Sequence, residues 1–199
     1  MGVGTSVTVT PTVPTTYTVV ITDQCNTPAD TDTVQIVVNP LPTISFAGDQ
    51  VSGCTPLCVN FTETTTPSSS ACFWDFDDNT TSNVCNPNHC FTVPGQYDIK
   101  LTVTDVNGCA NTLTMANYIT VYPYPGPGFT AETGVNLEDP FVTFTDGTQG
   151  ADTCIWDFGD GNVVIVPNCG DITHGYQDTG TYHVMQIVVN QWGCRDTIW

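Results

Sequence analysis

Cys72-Phe-Trp-Asp-Phe-Asp-Asp78 decides the fold, because it returns as Cys154-Ile-Trp-Asp-Phe-Gly-Asp160. A second echo follows each copy. Gly95-Gln-Tyr-Asp-Ile-Lys-Leu-Thr-Val103 and Asn107-Gly-Cys109 are answered by Gly180-Thr-Tyr-His-Val-Met-Gln-Ile-Val188 and Trp192-Gly-Cys194. The first pair is offset by 82 residues and the second by 85, so three residues are inserted between them. In a chain of 199 residues this period gives two copies of one module and about 40 further residues at the N-terminus.

Around the tract the apolar residues alternate. Tyr97, Ile99, Leu101 and Val103 point one way, while Gln96, Asp98, Lys100, Thr102 and Thr104 point the other. That is a strand with one core face and one wet face. In the first full copy, strands are expected at 43–47, 57–62, 71–76, 96–104 and 112–121. No segment has a helical period of useful length. Short strands separated by Gly, Pro, Asn and Asp indicate an all-β sandwich.

The first 40 residues hold three alternating runs, at Val7–Val9, Tyr17–Ile21 and Val34–Val38. Three strands do not close a sandwich, so this stretch is expected to be part of a preceding β-domain. The expected units are 1–40, 41–122 and 123–199, the last without its full final strand. Asn39-Pro-Leu-Pro42 and Tyr122-Pro-Tyr-Pro-Gly-Pro-Gly128 are the junctions. Prolines fix φ and remove donors, so the second linker is short and stiff.

Twenty acidic residues stand against two basic ones, for a formal net charge of −18. Such a surface cannot neutralise phosphates, which excludes nucleic acid, and it is repelled by anionic membranes. No apolar run reaches membrane-spanning length. Ten cysteines in small β-domains point to an oxidising compartment. No signal peptide is visible at Met1-Gly-Val-Gly-Thr-Ser6, so the chain is expected to be a segment of a longer exported protein.

Cys54 precedes the second strand and Cys109 follows the Asn-Gly turn. If both lie at one end of the sandwich, they pair. Cys72 and Cys85 flank the acidic turn, as do Cys154 and Cys169, and each set is paired. Cys58 is left for Cys90. Cys25 and Cys194 then remain unpaired, Cys25 with its partner expected upstream.

Trp156-Asp-Phe-Gly-Asp-Gly161, Tyr176, Gly180-Thr-Tyr182 and Gly193 resemble the signature of PKD (polycystic kidney disease) domains. The other copy carries it as Trp74-Asp-Phe-Asp-Asp-Asn79, Phe91, Pro94-Gly-Gln-Tyr97 and Asn107-Gly108. It departs at Asp77 and Asn79, where the family has Gly. Thr15-Thr-Tyr-Thr-Val-Val-Ile-Thr-Asp23 resembles the end of a related Ig-like or PKD-like module. The resemblance covers about three quarters of the chain. It implies seven-stranded, two-sheet sandwiches arranged as beads on a string. The cysteine-rich style, with Gly53-Cys-Thr-Pro56, is similar to arrays on Bacteroidota cell-surface proteins, among them gliding-motility adhesins exported by the type IX route.

Asp75, Asp77 and Asp78, and in the other copy Asp157 and Asp160, are a candidate Ca²⁺ site, since Ca²⁺ takes several carboxylate and carbonyl oxygens. The competing reading is a turn in which Asp side chains accept from nearby backbone N–H groups. Trp74 and Trp156 are expected in the core. His89 and His174 recur at matching positions, which suggests a structural hydrogen bond. No catalytic constellation is readable, so no enzyme and no cofactor beyond possible Ca²⁺ is expected. In the second copy Met185, Ile187 and Val189 take the phase that is polar in the first, and Gln186 takes an inner phase. Either a bulge resets the register or this face carries an apolar contact stripe, with Trp192 beside it. The function expected is a disulfide-stapled adhesive stalk, secreted or on a cell surface, meeting a protein or glycan. A non-catalytic polysaccharide-binding accessory of a secreted hydrolase and a self-assembling fibre are the alternatives.

Overall fold

The computed structural model describes residues 6–21, 28–132 and 138–199, and the regular structure in them is all β. Cys25, expected to be unpaired, lies outside the described residues.

The N-terminal segment forms one antiparallel hairpin, β1 (Thr15–Ile21) with β2 (Asp30–Ile36). The run at Val7 and Val9 is not a strand, contrary to its alternation. Pro11 and Pro14 interrupt it, and a lone alternating segment has no ladder to satisfy its backbone.

The first module contains β3 (Phe46–Gly48), β4 (Ser52–Cys54), β5 (Leu57–Glu63), β6 (Ser69–Asp75), β7 (Thr81–Ser82), β8 (Asn88–Phe91), β9 (Gly95–Asp105) and β10 (Ala110–Tyr122). One sheet runs β4-β10-β9-β6-β7, and the facing sheet runs β3-β5-β8. The expected strand at 43–47 starts later, at Phe46, because Thr43 is used in an isolated bridge to Thr66.

The second module contains β11 (Phe129–Ala131), β12 (Phe141–Asp146), β13 (Thr153–Asp157), β14 (Val163–Pro167), β15 (Ile172–Gly175), β16 (Met185–Val189) and β17 (Arg195–Ile198). Its sheets are β14-β13-β16-β17 and β11-β12-β15. Two of the three inserted residues fall in the loop that carries β14, since Cys154 and Cys169 are 15 residues apart against 13 for Cys72 and Cys85, and the third lies between Cys169 and His174.

Each core is built on the Trp of the repeated tract. Trp74 and Trp156 are fully buried, which fits a large ring pressed between two sheets. The aromatic frames match. Phe46 and Phe61 pack on Trp74 at centroid distances of 5.0 and 5.3 Å, and Phe129 and Phe144 on Trp156 at 5.0 and 5.6 Å. Tyr97 donates to Val93 O (2.6 Å) and Tyr182 to Asp178 O (2.9 Å), so each ring closes its own entry turn.

β16 pairs with β13 without a register shift. Gln186 therefore faces inward in the phase of Leu101 and is fully buried. A buried amide needs partners, and here they exist. Gln186 Nε2 donates to Asp146 Oδ1 (2.8 Å) and Thr148 Oγ1 (2.9 Å), and Oε1 accepts from Gly128 N–H (3.1 Å). Gln186 thus fastens the end of the linker to its own module.

Candidate functional site

Chain direction governs where the cysteines meet. β4 lies parallel along the end of β10, with Cys54 opposite Tyr122. Cys109 sits in the turn between β9 and β10, at the other end of β10. The 13 residues of β10, at about 3.3 Å each, separate the two positions by about 43 Å, whereas a disulfide needs Cα atoms about 4.4–6.8 Å apart. The pairing of Cys54 with Cys109 is therefore wrong, as is the unpaired assignment of Cys194. Cys54 is bonded to Cys194 of the second module, with Cα atoms 5.7 Å apart, and Cys109 is the one free thiol among the described cysteines.

This bond joins two sandwiches. Cys54 is held at the exit pole of the first module by Thr120 N–H donating to Val51 O (2.9 Å) and Thr55 N–H donating to Tyr122 O (3.0 Å). Cys194 is held at the entry pole of the second. Cys194 N–H and Trp192 N–H both donate to Asn190 Oδ1, at 2.9 and 3.1 Å. Asn190 Nδ2 donates to Pro123 O (2.9 Å), fixing the linker to the turn. Trp192 then stacks on Tyr122, with centroids 4.8 Å apart and planes 8° from parallel. The disulfide, the amide and the aromatic pair form one clamp across the linker. Trp192, read from sequence as a surface contact, spends one face on this stack and leaves 46 % of its surface exposed.

The remaining bridges lie within modules. Cys58–Cys90 crosses β5 and β8, Cys72–Cys85 joins β6 to the segment after β7, and Cys154–Cys169 joins β13 to the segment after β14. Glu63 lies by the first of these last two bridges and Asp146 by the second, close enough for a shared metal ion. Their sulfurs are already consumed in S–S bonds.

The acidic turns commit their carboxylates to hydrogen bonds. Asp75 Oδ1 accepts from Asp77 N–H (3.2 Å), Asp78 Oδ1 from Thr80 N–H (3.0 Å), and Asp77 Oδ2 from Asp98 N–H (3.2 Å). In the second copy Asp157 Oδ1 accepts from Gly159 N–H and Asp160 Oδ1 from Asn162 N–H, both at 3.0 Å. The second oxygens of Asp78 and Asp160 lie 2.7 and 2.8 Å from His89 and His174 Nε2. Those imidazoles stack on Phe76 and Phe158, each with centroids 4.0 Å apart. Burial alone would raise the Asp160 carboxyl, but hydrogen bonds from His174 and Asn162 hold it down at about 2. The same opposition, with Thr80 and His89 as donors, leaves Asp78 lowered. Asp77 takes φ of 64° and Asn79 of 67°, where the second copy has Gly159 and Gly161. A Cβ on Gly159 would come within 2.6 Å of His183 O, so the two turns are not interchangeable there.

Of the two readings of β16, a reset register is absent: Met185, Ile187 and Val189 lie on the outer face and β16 pairs with β13 in continuous register. β14, β13 and β16 bring Ile165, Ile155 and Ile187 into one row on the outer face, and Met185 and Val189 flank it. Ile165 and Val163 are 62 % and 58 % exposed. In the first module Phe73, Thr102 and Thr112 stand in the places of Ile155, Ile187 and Thr197, with the two first-module hydroxyls 2.9 Å apart. A missed difference concerns the indoles. Trp74 Nε1 donates to Cys85 O (3.3 Å), but buried Trp156 Nε1 has no hydrogen-bond partner among the described residues. Asn168 and Cys169, both at positive φ, route the second copy's loop differently.

No helix among the described residues is long and apolar enough to cross a membrane, and the disulfides place the modules in an extracellular setting. No curated protein matches the chain. Among solved structures, it is similar to the PKD1 domain of the Vibrio cholerae metalloprotease PrtV, with 27 % identity over 41 % of this chain and 98 % of that one and a TM-score of 0.35. Carbohydrate-binding modules of the β-sandwich superfamily align at 18 % identity over 77 % of this chain and 85 % of theirs, with a TM-score of 0.40. Fibronectin(III)-like modules of Clostridium thermocellum CbhA align at 13 % over 78 % and 91 %, with a TM-score of 0.36. The PKD domain model matches residues 39–121 and again 130–198, so the chain belongs to the PKD domain family and carries two copies in tandem.

Proposed function

We propose that this chain is a load-bearing, non-catalytic segment of a secreted or surface-attached adhesive protein, with consecutive modules covalently clamped. The observation that carries this reading is the Cys54–Cys194 bond, which spans 140 residues and two modules. Tension applied along the chain enters at Cys54 and leaves at Cys194 through the S–S bond. The residues between them, which form most of both sandwiches, bear none of it. A stiff proline linker and the Tyr122–Trp192 stack keep the pair in one orientation. In this reading the parent protein is an adhesin of the gliding-motility kind, exported by the type IX route. The acidic turns are structural in this reading, and Ca²⁺ adds little to stability. A large fall in the unfolding midpoint on EDTA treatment would overturn that assignment.

Force spectroscopy on the whole chain tests the clamp. With the bond intact, unfolding should not release the residues between Cys54 and Cys194. On reduction it should release about 470 Å of additional contour at about 3.4 Å per residue. Release of that length without reductant contradicts the reading, and so does turnover of any glycan or peptide by the purified chain.

The Ile165–Ile155–Ile187 row favours a second role, contact with a protein or glycan through the outer face of the second module. Ile187→Asp should leave the fold intact and abolish binding to the surface that the wild type retains. Unchanged retention removes this role.

A further inference from the structure

Cys109 holds in the first module the position that Cys194 holds in the second, and the two turns agree bond for bond. Cys109 N–H and Asn107 N–H donate to Asp105 Oδ1 at 2.9 and 2.8 Å, as Cys194 and Trp192 do to Asn190. Asp105 N–H donates to Cys109 O (2.9 Å) and Asn190 N–H to Cys194 O (3.1 Å). Gly108 and Gly193 share φ near 80°. Each turn region also fastens the linker ahead of it, Asn190 through Pro123 O and Asn111 through Pro42 O (2.8 Å). The state of the thiol differs. Cys194 is buried against Cys54, whereas Cys109 is half-buried with a free thiol. Asn107 and Asn39 stand where the second clamp has Trp192 and Tyr122.

Cys54 reaches its partner because β4 lies parallel along residues 120–122, just before the linker prolines. The matching place ahead of the first module is residues 37–39. There Val37 is 65 % exposed, and among the described residues β2 pairs only with β1. We propose that Cys109 is a second clamp site, taking in disulfide linkage a cysteine carried on a short strand laid parallel along residues 37–39. The partner is the β4-type edge and Cys-Thr-Pro turn of another module of this kind. Backbone pairing gives it register, and the thiol makes it permanent. The step is an exchange. The Cys109 thiolate attacks the sulfur of the partner cysteine while that cysteine is held as a mixed disulfide with a small thiol. The new S–S bond forms, the old one breaks, and the departing thiolate takes up the proton that Cys109 gave to solvent. This inference does not depend on the adhesive reading, since an array of modules in any exported protein would meet the same need.

The chain supplies its own probe, a peptide of residues 49–57 with its cysteine activated as the thionitrobenzoate mixed disulfide. It is added to the full chain carrying Cys25→Ser, so that Cys109 is the thiol under test. Release of thionitrobenzoate should be at least about ten-fold faster than with a scrambled peptide of the same composition, and mapping should place the peptide on Cys109. Val37→Pro removes the N–H that corresponds to the Thr120 donor and should return the rate to that of the scrambled peptide. Equal rates for the two peptides would overturn the proposal, as would a rate indifferent to Val37→Pro. A native Cys25–Cys109 disulfide in the purified wild-type chain would overturn it as well.

Discussion

The turns Asn107-Gly-Cys109 and Trp192-Gly-Cys194 are built on the same hydrogen bonds, yet one thiol is free and the other joins two modules. The turn itself does not decide this. What decides it is the pole of the module ahead, where β4 and the end of β10 present Cys54 and Tyr122. In a tandem array the chemistry of a position belongs to the junction, and each module contributes half of it.

The comparison can be broken most visibly by force, through the contour length that reduction is expected to release. Next in size are the core tryptophans. Trp74→Ala and Trp156→Ala should each destabilise their own module by about 3–5 kcal/mol, read by module-resolved amide hydrogen exchange. A loss that spread equally into the other module would mean that the two cores are one cooperative unit. Trp→Phe sharpens the contrast further. Trp74→Phe removes a donor that is bonded to Cys85 O, while Trp156→Phe removes one with no acceptor among the described residues. The first should cost about 1 kcal/mol more than the second. Equal costs would show that the second indole also finds a partner.

Acid probes the two His-backed turns. Asp160 and Asp78 both sit below the ordinary carboxyl value of 3.8 in the folded state, Asp160 at about 2. A lowered folded pKa contributes stability that is present above about pH 4 and is lost as pH falls toward 2. Asp160→Asn should remove this dependence from the second module and leave the first unchanged. An unaltered acid profile in the second module contradicts the assignment. The smallest expected effect is at Trp192. Trp192→Ala leaves the disulfide in place and removes only a stack of about 0.5–1.5 kcal/mol. Small-angle scattering should show a modest broadening of the inter-module distance, well short of that produced by Cys194→Ser.

Most of the fold is legible in the chain, because local alternation and a repeated Trp tract carry it. The buried faces of β9 and β6 follow from period two, and the inward phase of Gln186 follows from the echo of Leu101 at an offset of 85. The clamp is not legible in that way. Pairing Cys54 with Cys109 assumes that each module closes its own bonds. The assumption fails because β4 runs parallel to β10 and carries Cys54 to the exit pole. Parallel pairing of a three-residue strand leaves no sequence period to read. One signal was available. Cys109 and Cys194 occupy equivalent turns, so any rule that leaves one unpaired while bonding the other within a module needs a reason from outside that module.

Peptide mapping of the purified chain under non-reducing conditions tests the clamp most directly. The account predicts a disulfide-linked peptide pair carrying Cys54 and Cys194, with Cys109 recovered as an alkylated thiol. A pair carrying Cys54 and Cys109, with Cys194 alkylated, would contradict it.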